Sequence, residues 1–158
     1  MATAAEQLTA HPHVETIKRY YAACNSADVE GVVACCTPDV VHYFLAPGTD
    51  PVRGGEHLGR YWRKVVRLIS AEWTVEHAVA CDDEAVIEFS QRWTSPEDGK
   101  RYIWHGAEWY AFRDGLICEI RAYYDLGRDR DTGLVDFPYA ERGYTQSAPK
   151  RGRSWTRK

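Results

Sequence analysis

The sequence has no apolar run approaching the roughly 18 residues that a membrane-crossing helix requires. Its opening stretch, MATAAEQLTAHPHVET, has no basic segment followed by a long apolar one, so no secretory signal is expected. There is no C-x-x-C pair. The five cysteines (Cys24, Cys35, Cys36, Cys81 and Cys118) are odd in number and sit among apolar neighbours. This argues against a disulfide framework or a cysteine zinc cluster, and for small buried hydrophobes in a reducing, cytoplasmic setting. The histidines at His11, His13, His57 and His77 lack ligand spacing with acids or cysteines, so no metal site is expected. G-x-S-x-G, Walker and G-x-G-x-x-G patterns are all absent, which leaves nucleophilic-serine and nucleotide chemistry without support.

Positive charge is scarce except at one place. Residues 150–158, KRGRSWTRK, carry five Lys or Arg and no acid. Without them the chain has 15 basic against 23 acidic side chains, a net of −8 for residues 1–149. Such a body is no electrostatic partner for nucleic acid. The basic end reads as a solvated, disordered tail or a contact for an acidic partner.

What the chain does have is aromatic residues, at 13% of 158 positions, including six Trp and ten Tyr. These fill cores and line ligand cavities. The length fits one domain, expected over 13–145 between a leader at 1–12 and the basic tail at 146–158.

Periodicity places a helix from His13 to Cys24, with Val14, Ile17, Tyr21 and Cys24 on one stripe. Asp28 is a plausible N-cap for a second helix through Cys36, and Thr37-Pro38 stops it. Val40–Leu45 reads as a strand, followed by the loop APGTDPVRGG. A third helix runs from Glu56 to Ile69, with Leu58, Tyr61, Trp62, Val65, Val66 and Ile69 inward. Strands follow at 72–80, 84–94, 101–113 and 116–125, the last two joined by an Asp-Gly turn. Three helices on one face of a curved antiparallel sheet make an α+β domain with a hollow between the layers.

The segments RYYAACNSADVEGVVACCTPD, VRGGEHLGRYW and WHGAEWYAFRDGLICEIRAYYD resemble the opening helix pair, third-helix entry and final hairpin of ketosteroid-isomerase-like and SnoaL-like proteins. These belong to the nuclear-transport-factor-2-like (NTF2-like) superfamily, and the resemblance spans roughly residues 14–127. It implies a cone-shaped NTF2-like barrel and cofactor-independent acid/base chemistry on a small hydrophobic carbonyl or hydroxyl compound. Isomerases, cyclases, dehydratases, epoxide hydrolases and non-catalytic binders all use this fold, so a binding or dimerisation module is the alternative.

Residue by residue, the resemblance makes Tyr20 a donor to a substrate oxygen and Glu108 a second, protonated donor. Glu108 is flanked by Ala107, Trp109 and Tyr110, and burial there would raise its pKa. Otherwise it is an ordinary strand glutamate. The family's catalytic base falls near Phe44, which cannot take a proton. His42 lies two residues earlier on the same strand face and is the natural substitute. The resemblance also makes Asp125, at the end of the final strand, an acid or base. Arg121 and Tyr123 share its face if no bulge intervenes, and Arg121 could hold it ionised. Trp62 and Phe44 complete the expected substrate contacts, together with whichever of Trp104 and His105 faces the hollow. The opposite face, with Cys118, Ile120, Ala122 and Tyr124, is expected to pair two copies into a homodimer. A small molecule is the other expected partner, with no cofactor, nucleic acid or membrane.

Overall fold

The computed structural model describes residues 11–45, 49–124, 136, 138 and 141. Helix α1, Pro12–Asn25, opens with proline in its first turn, where no backbone donor is lost. The His11 ring caps it by accepting from the His13 N–H at 3.2 Å. At its other end Asn25 behaves like a short piece of strand: it accepts from the Trp73 N–H and donates to the Trp73 carbonyl, both at 2.8 Å. This ties α1 to the start of the strand Glu72–Cys81. Helix α2, Val29–Cys35, is capped by Asp28, which accepts from the Gly31 N–H at 3.0 Å.

Strand β1, Cys36–Phe44, follows α2 directly. It was expected only from Val40, and Pro38 lies inside it. A register shift between Cys36 and Val41 accommodates the residue that cannot donate to a ladder. A two-residue strand β2, Val52–Arg53, sits in the expected Gly/Pro loop and pairs with β1. Helix α3 runs Gly55–Ile69, and β3 (Glu72–Cys81), β4 (Glu84–Thr94), β5 (Arg101–Arg113) and β6 (Leu116–Tyr123) follow as a meander.

The sheet order is β2-β1-β6-β5-β4-β3. The expectation of a purely antiparallel sheet is corrected here, because β6 returns beside β1 in the same direction. A parallel pair needs a long crossover, and α3 with the β3–β5 meander supplies it. Register shifts in β1, in β3 between Val75 and His77, and at the β5–β6 pair between Ala111 and Phe112 bend the sheet around the helices. Gly106 belongs to the same device. A Cβ there would lie 2.8 Å from the Phe89 ring and 3.0 Å from the Tyr123 carbonyl.

The core lies between the concave face and the helices. Ile87, Phe89, Tyr110, Phe112, Ile117 and Ile120 meet Val14, Ile17, Tyr20 and Leu58, all essentially inaccessible to solvent. The last register shift falls next to Cys118 and decides which side chains of β6 face inward. Ile120 and Ala122 are buried in this interior, not displayed on the outer face as expected. No helix among the described residues is long and apolar enough to cross a membrane.

Candidate functional site

Strand pairing brings the polar interior groups together. Glu108 of β5 is opposite Ala122 of β6 and Ile87 of β4, so it points to the concave face. Its side chain is buried. One carboxyl oxygen, Oε2, accepts from the Tyr21 hydroxyl of α1 at 2.6 Å and from the Tyr110 hydroxyl two residues along β5. Two phenols on one oxygen leave the other, Oε1, facing His42 Nε2 of β1 at 3.8 Å. His42 is wholly buried, and neither ring nitrogen has a hydrogen-bond partner among the described residues. It stacks on Phe44 with centroids 4.3 Å apart and meets the edge of Trp62 at 5.3 Å.

Burial sets the charges. It pushes Glu108 up from the ordinary carboxylate range, against the two phenol donors, which pull it back toward ionisation. It pushes His42 down to about 3. The His42–Glu108 separation lies within ion-pair range, but burial works against charge on both groups. Since Oε2 already receives two hydrogen bonds, Oε1, the oxygen that faces the imidazole, is the one open to a proton. At 3.8 Å the two atoms are too far apart to bond directly. Burial likewise pushes Tyr20, Tyr21 and Tyr110 well above the usual phenol value, so all three stay donors near neutrality.

Tyr20, expected as a donor to a substrate oxygen, is buried and its hydroxyl accepts from Trp62 Nε1 at 2.6 Å, while the tyrosine that reaches Glu108 is Tyr21. Adjacent helical residues point about 100° apart, and the one aimed at β5 is Tyr21. Tyr21 and Tyr110 were missed as site residues, although both were legible. Tyr21 lay on the predicted apolar stripe of α1, and Tyr110 shares the parity of Glu108. Trp62, Tyr61 and Trp73 continue the aromatic lining, with Trp62 5.1 Å from Trp73 and 4.9 Å from Tyr61.

Three expected contacts face the other way. Arg121 pairs with Trp109 across the β5–β6 ladder and lies over its ring at 5.1 Å, bridging to Glu119 at 3.2 Å and Glu84 at 3.5 Å. Tyr123 packs with Tyr43, Val41 and Leu45 in a separate cluster. Both belong to the convex face, because the residue of β6 opposite Glu108 is Ala122 and neighbouring positions of a strand point to opposite faces. His105 is exposed on the same convex face. Trp104 is opposite Gln91 in β5, and its side chain lies outside the described set. Asp125 also lies outside the described residues. Among the described residues, no group of three His, Cys, Asp or Glu side chains could hold a metal ion.

Residues 17–120 match the SnoaL-like domain family. No curated protein matches the chain. Among solved structures, a cystatin-like-fold protein of unknown function from Methylobium petroleophilum PM1 is 34% identical, with a TM-score of 0.75 over 88% of this chain and 94% of that one. A putative SnoaL-like polyketide cyclase from Jannaschia sp. CCS1 is 18% identical, with a TM-score of 0.64 over 80% of this chain and 91% of that one. A Mycobacterium tuberculosis protein solved in complex with estradiol-17beta-hemisuccinate is 19% identical, with a TM-score of 0.63 over 73% of this chain and 95% of that one. The last two show the shared NTF2-like fold. With three helices on a curved mixed sheet and a family match across most of its length, the chain belongs to the SnoaL-like domain family.

Proposed function

We propose that the protein is a cofactor-independent acid/base enzyme acting on a small, largely apolar carbonyl or hydroxyl compound, by isomerisation, cyclisation or dehydration. The supporting observation is the buried pair of His42 Nε2 and Glu108 Oε1, 3.8 Å apart, with burial favouring the neutral form of each. A neutral imidazole can take a proton from carbon or oxygen while the protonated carboxyl donates to the oxygen where charge develops. Tyr21 and Tyr110 hold that carboxyl in place. Phe44, Trp62, Tyr61 and Trp73 give a flat apolar molecule aromatic faces to lie against. Tyr61 and Trp62 are half-buried on the α3 side. Asp125 is the competing base.

The test is turnover across a panel of enolisable ketones and β-hydroxy carbonyl compounds, with product detected by mass spectrometry. Glu108→Gln and His42→Ala are each expected to cut turnover at least tenfold, since one acid/base group contributes roughly 10²–10⁴-fold. Thermal melting checks the fold of each variant. If Asp125→Asn removes activity and His42→Ala leaves it intact, the base is Asp125. Activity unaffected in all three variants overturns the acid/base reading.

The second reading is a binding module. The solved relative that holds an estradiol ester favours it, as does Phe44 standing where the family keeps its base. Ligand binding without turnover at any pH decides for it. Under either reading we infer a homodimer, formed through the convex face of the sheet where Val79, Ile103 and Trp109 are exposed.

A further inference from the structure

Helix α3 has two contrasting sides. Tyr61, Trp62, Val65, Val66 and Ile69 pack against the core. On the other side Arg60, Arg63, Lys64, Arg67 and Leu68, spaced three and four apart, line a shallow surface depression of about 400 Å³. Arg60 is paired with Glu56 at 2.8 Å. Arg63, Lys64 and Arg67 have no acid within ion-pair distance among the described residues. Leu68 stands among them, 67% exposed. The setting is the opposite of basic: residues 1–149 carry a net −8. Three unpaired cations on one helix of an acidic body orient the molecule toward negative charge.

The geometry selects the kind of negative charge. A single small anion is held in an enclosed pocket, whereas these side chains border an open depression along one face of the helix. From Arg60 to Arg67 they cover about 10 Å, at roughly 1.5 Å of rise per residue. Flexible cations spread over that length suit a flat array of headgroups, and an exposed leucine among them can enter the apolar layer beneath. We propose that the outer face of α3 docks the protein on an anionic lipid surface. This is independent of the acid/base reading, because none of the five residues touches His42 or Glu108.

The experiment is co-sedimentation of the full chain with vesicles, either of phosphatidylcholine alone or of equal parts phosphatidylcholine and phosphatidylglycerol. Binding is expected only to the mixed vesicles and weakens as salt is raised. The triple variant Arg63→Gln/Lys64→Gln/Arg67→Gln is expected to bind about a hundredfold more weakly, at roughly fivefold per cation near an anionic surface. Leu68→Ser is expected to weaken binding several-fold without changing its salt slope. The cations at 150–158 are common to all these proteins and cancel in the comparison. If the triple variant melts early, the single variants Lys64→Gln and Arg67→Gln carry the same test at fivefold each. Vesicle binding that survives these changes overturns the proposal. So does displacement by inorganic phosphate beyond that of chloride at equal ionic strength, which assigns the face to a free phosphate. Retention on polyglutamate without vesicle binding also overturns it, in favour of an acidic protein.

Discussion

His42 and Glu108 act on stability in opposite directions as pH changes. His42 has its folded pKa lowered from 6.5 to about 3, so between those values the unfolded chain binds the extra proton. Its contribution is fully present above pH 6.5 and is lost as pH falls toward 3. Glu108 has its folded pKa raised, so its contribution is present at acid pH and is lost as pH rises through the raised value. In His42→Phe, where the ring can still stack on Phe44, the fall in stability from pH 7 to pH 4.5 is expected to shrink by up to about 2.7 kcal/mol, at 1.36 kcal/mol per pH unit. Urea midpoints of variant and wild type at the two pH values measure it, and parallel curves refute the burial argument. Tyr21→Phe tests the carboxyl. Removing a donor to Glu108 disfavours its charged form, so the pKa rises further. If protonated Glu108 is the working acid, the alkaline limb of the rate profile moves to higher pH in this variant.

Among elements, α2 and α3 approach closely at Gly59. A Cβ on Gly59 would lie 2.9 Å from Val29 Cγ1 and 3.1 Å from both the Val29 Cα and its carbonyl oxygen. A valine side chain is stiff and its backbone cannot retreat without shifting α2. Gly59→Ala is therefore expected to destabilise by about 1–3 kcal/mol through overpacking, even though alanine is intrinsically the better helix former by about 1 kcal/mol. A melting temperature at or above wild type would contradict this.

The helices were legible because their signals are local: Asp28 marks a start, and the stripes from Val14 to Cys24 and from Leu58 to Ile69 repeat at helical spacing. The hairpins were legible from Asp114-Gly115 and the residues around Cys81. Face assignment in β6 was not. It depends on a register shift beside Cys118 and on which residue of β5 stands opposite, and both are set by pairing partners distant in sequence. One step of register exchanged Arg121 for Ala122 at the site. In β1, by contrast, His42 and Phe44 needed only alternation along a single strand, and they were placed on one face correctly.

At the scale of the whole molecule, the convex face of the sheet and the outer face of α3 lie on different elements and differ in character. The sheet face carries Val79 and Ile103, each 53% exposed, and Trp109 at 38%, beside the His77–Glu88 pair at 2.7 Å. Apolar side chains this exposed on β3 and β5, the two strands that flank β4, are what a second copy of the same sheet can cover, and a two-fold axis lets each strand meet its counterpart. The α3 face has one exposed leucine among like charges, and two such faces would repel each other. The proposed self-association therefore belongs to the sheet. Val79→Glu placed across a two-fold interface sets like charges near each other and removes apolar area at once. It is expected to raise the dimer dissociation constant at least a hundredfold, read by sedimentation equilibrium, while leaving vesicle binding through α3 in place. A wild-type chain that sediments as a monomer at every concentration would remove the dimer and leave both the interior site and the basic helix untouched.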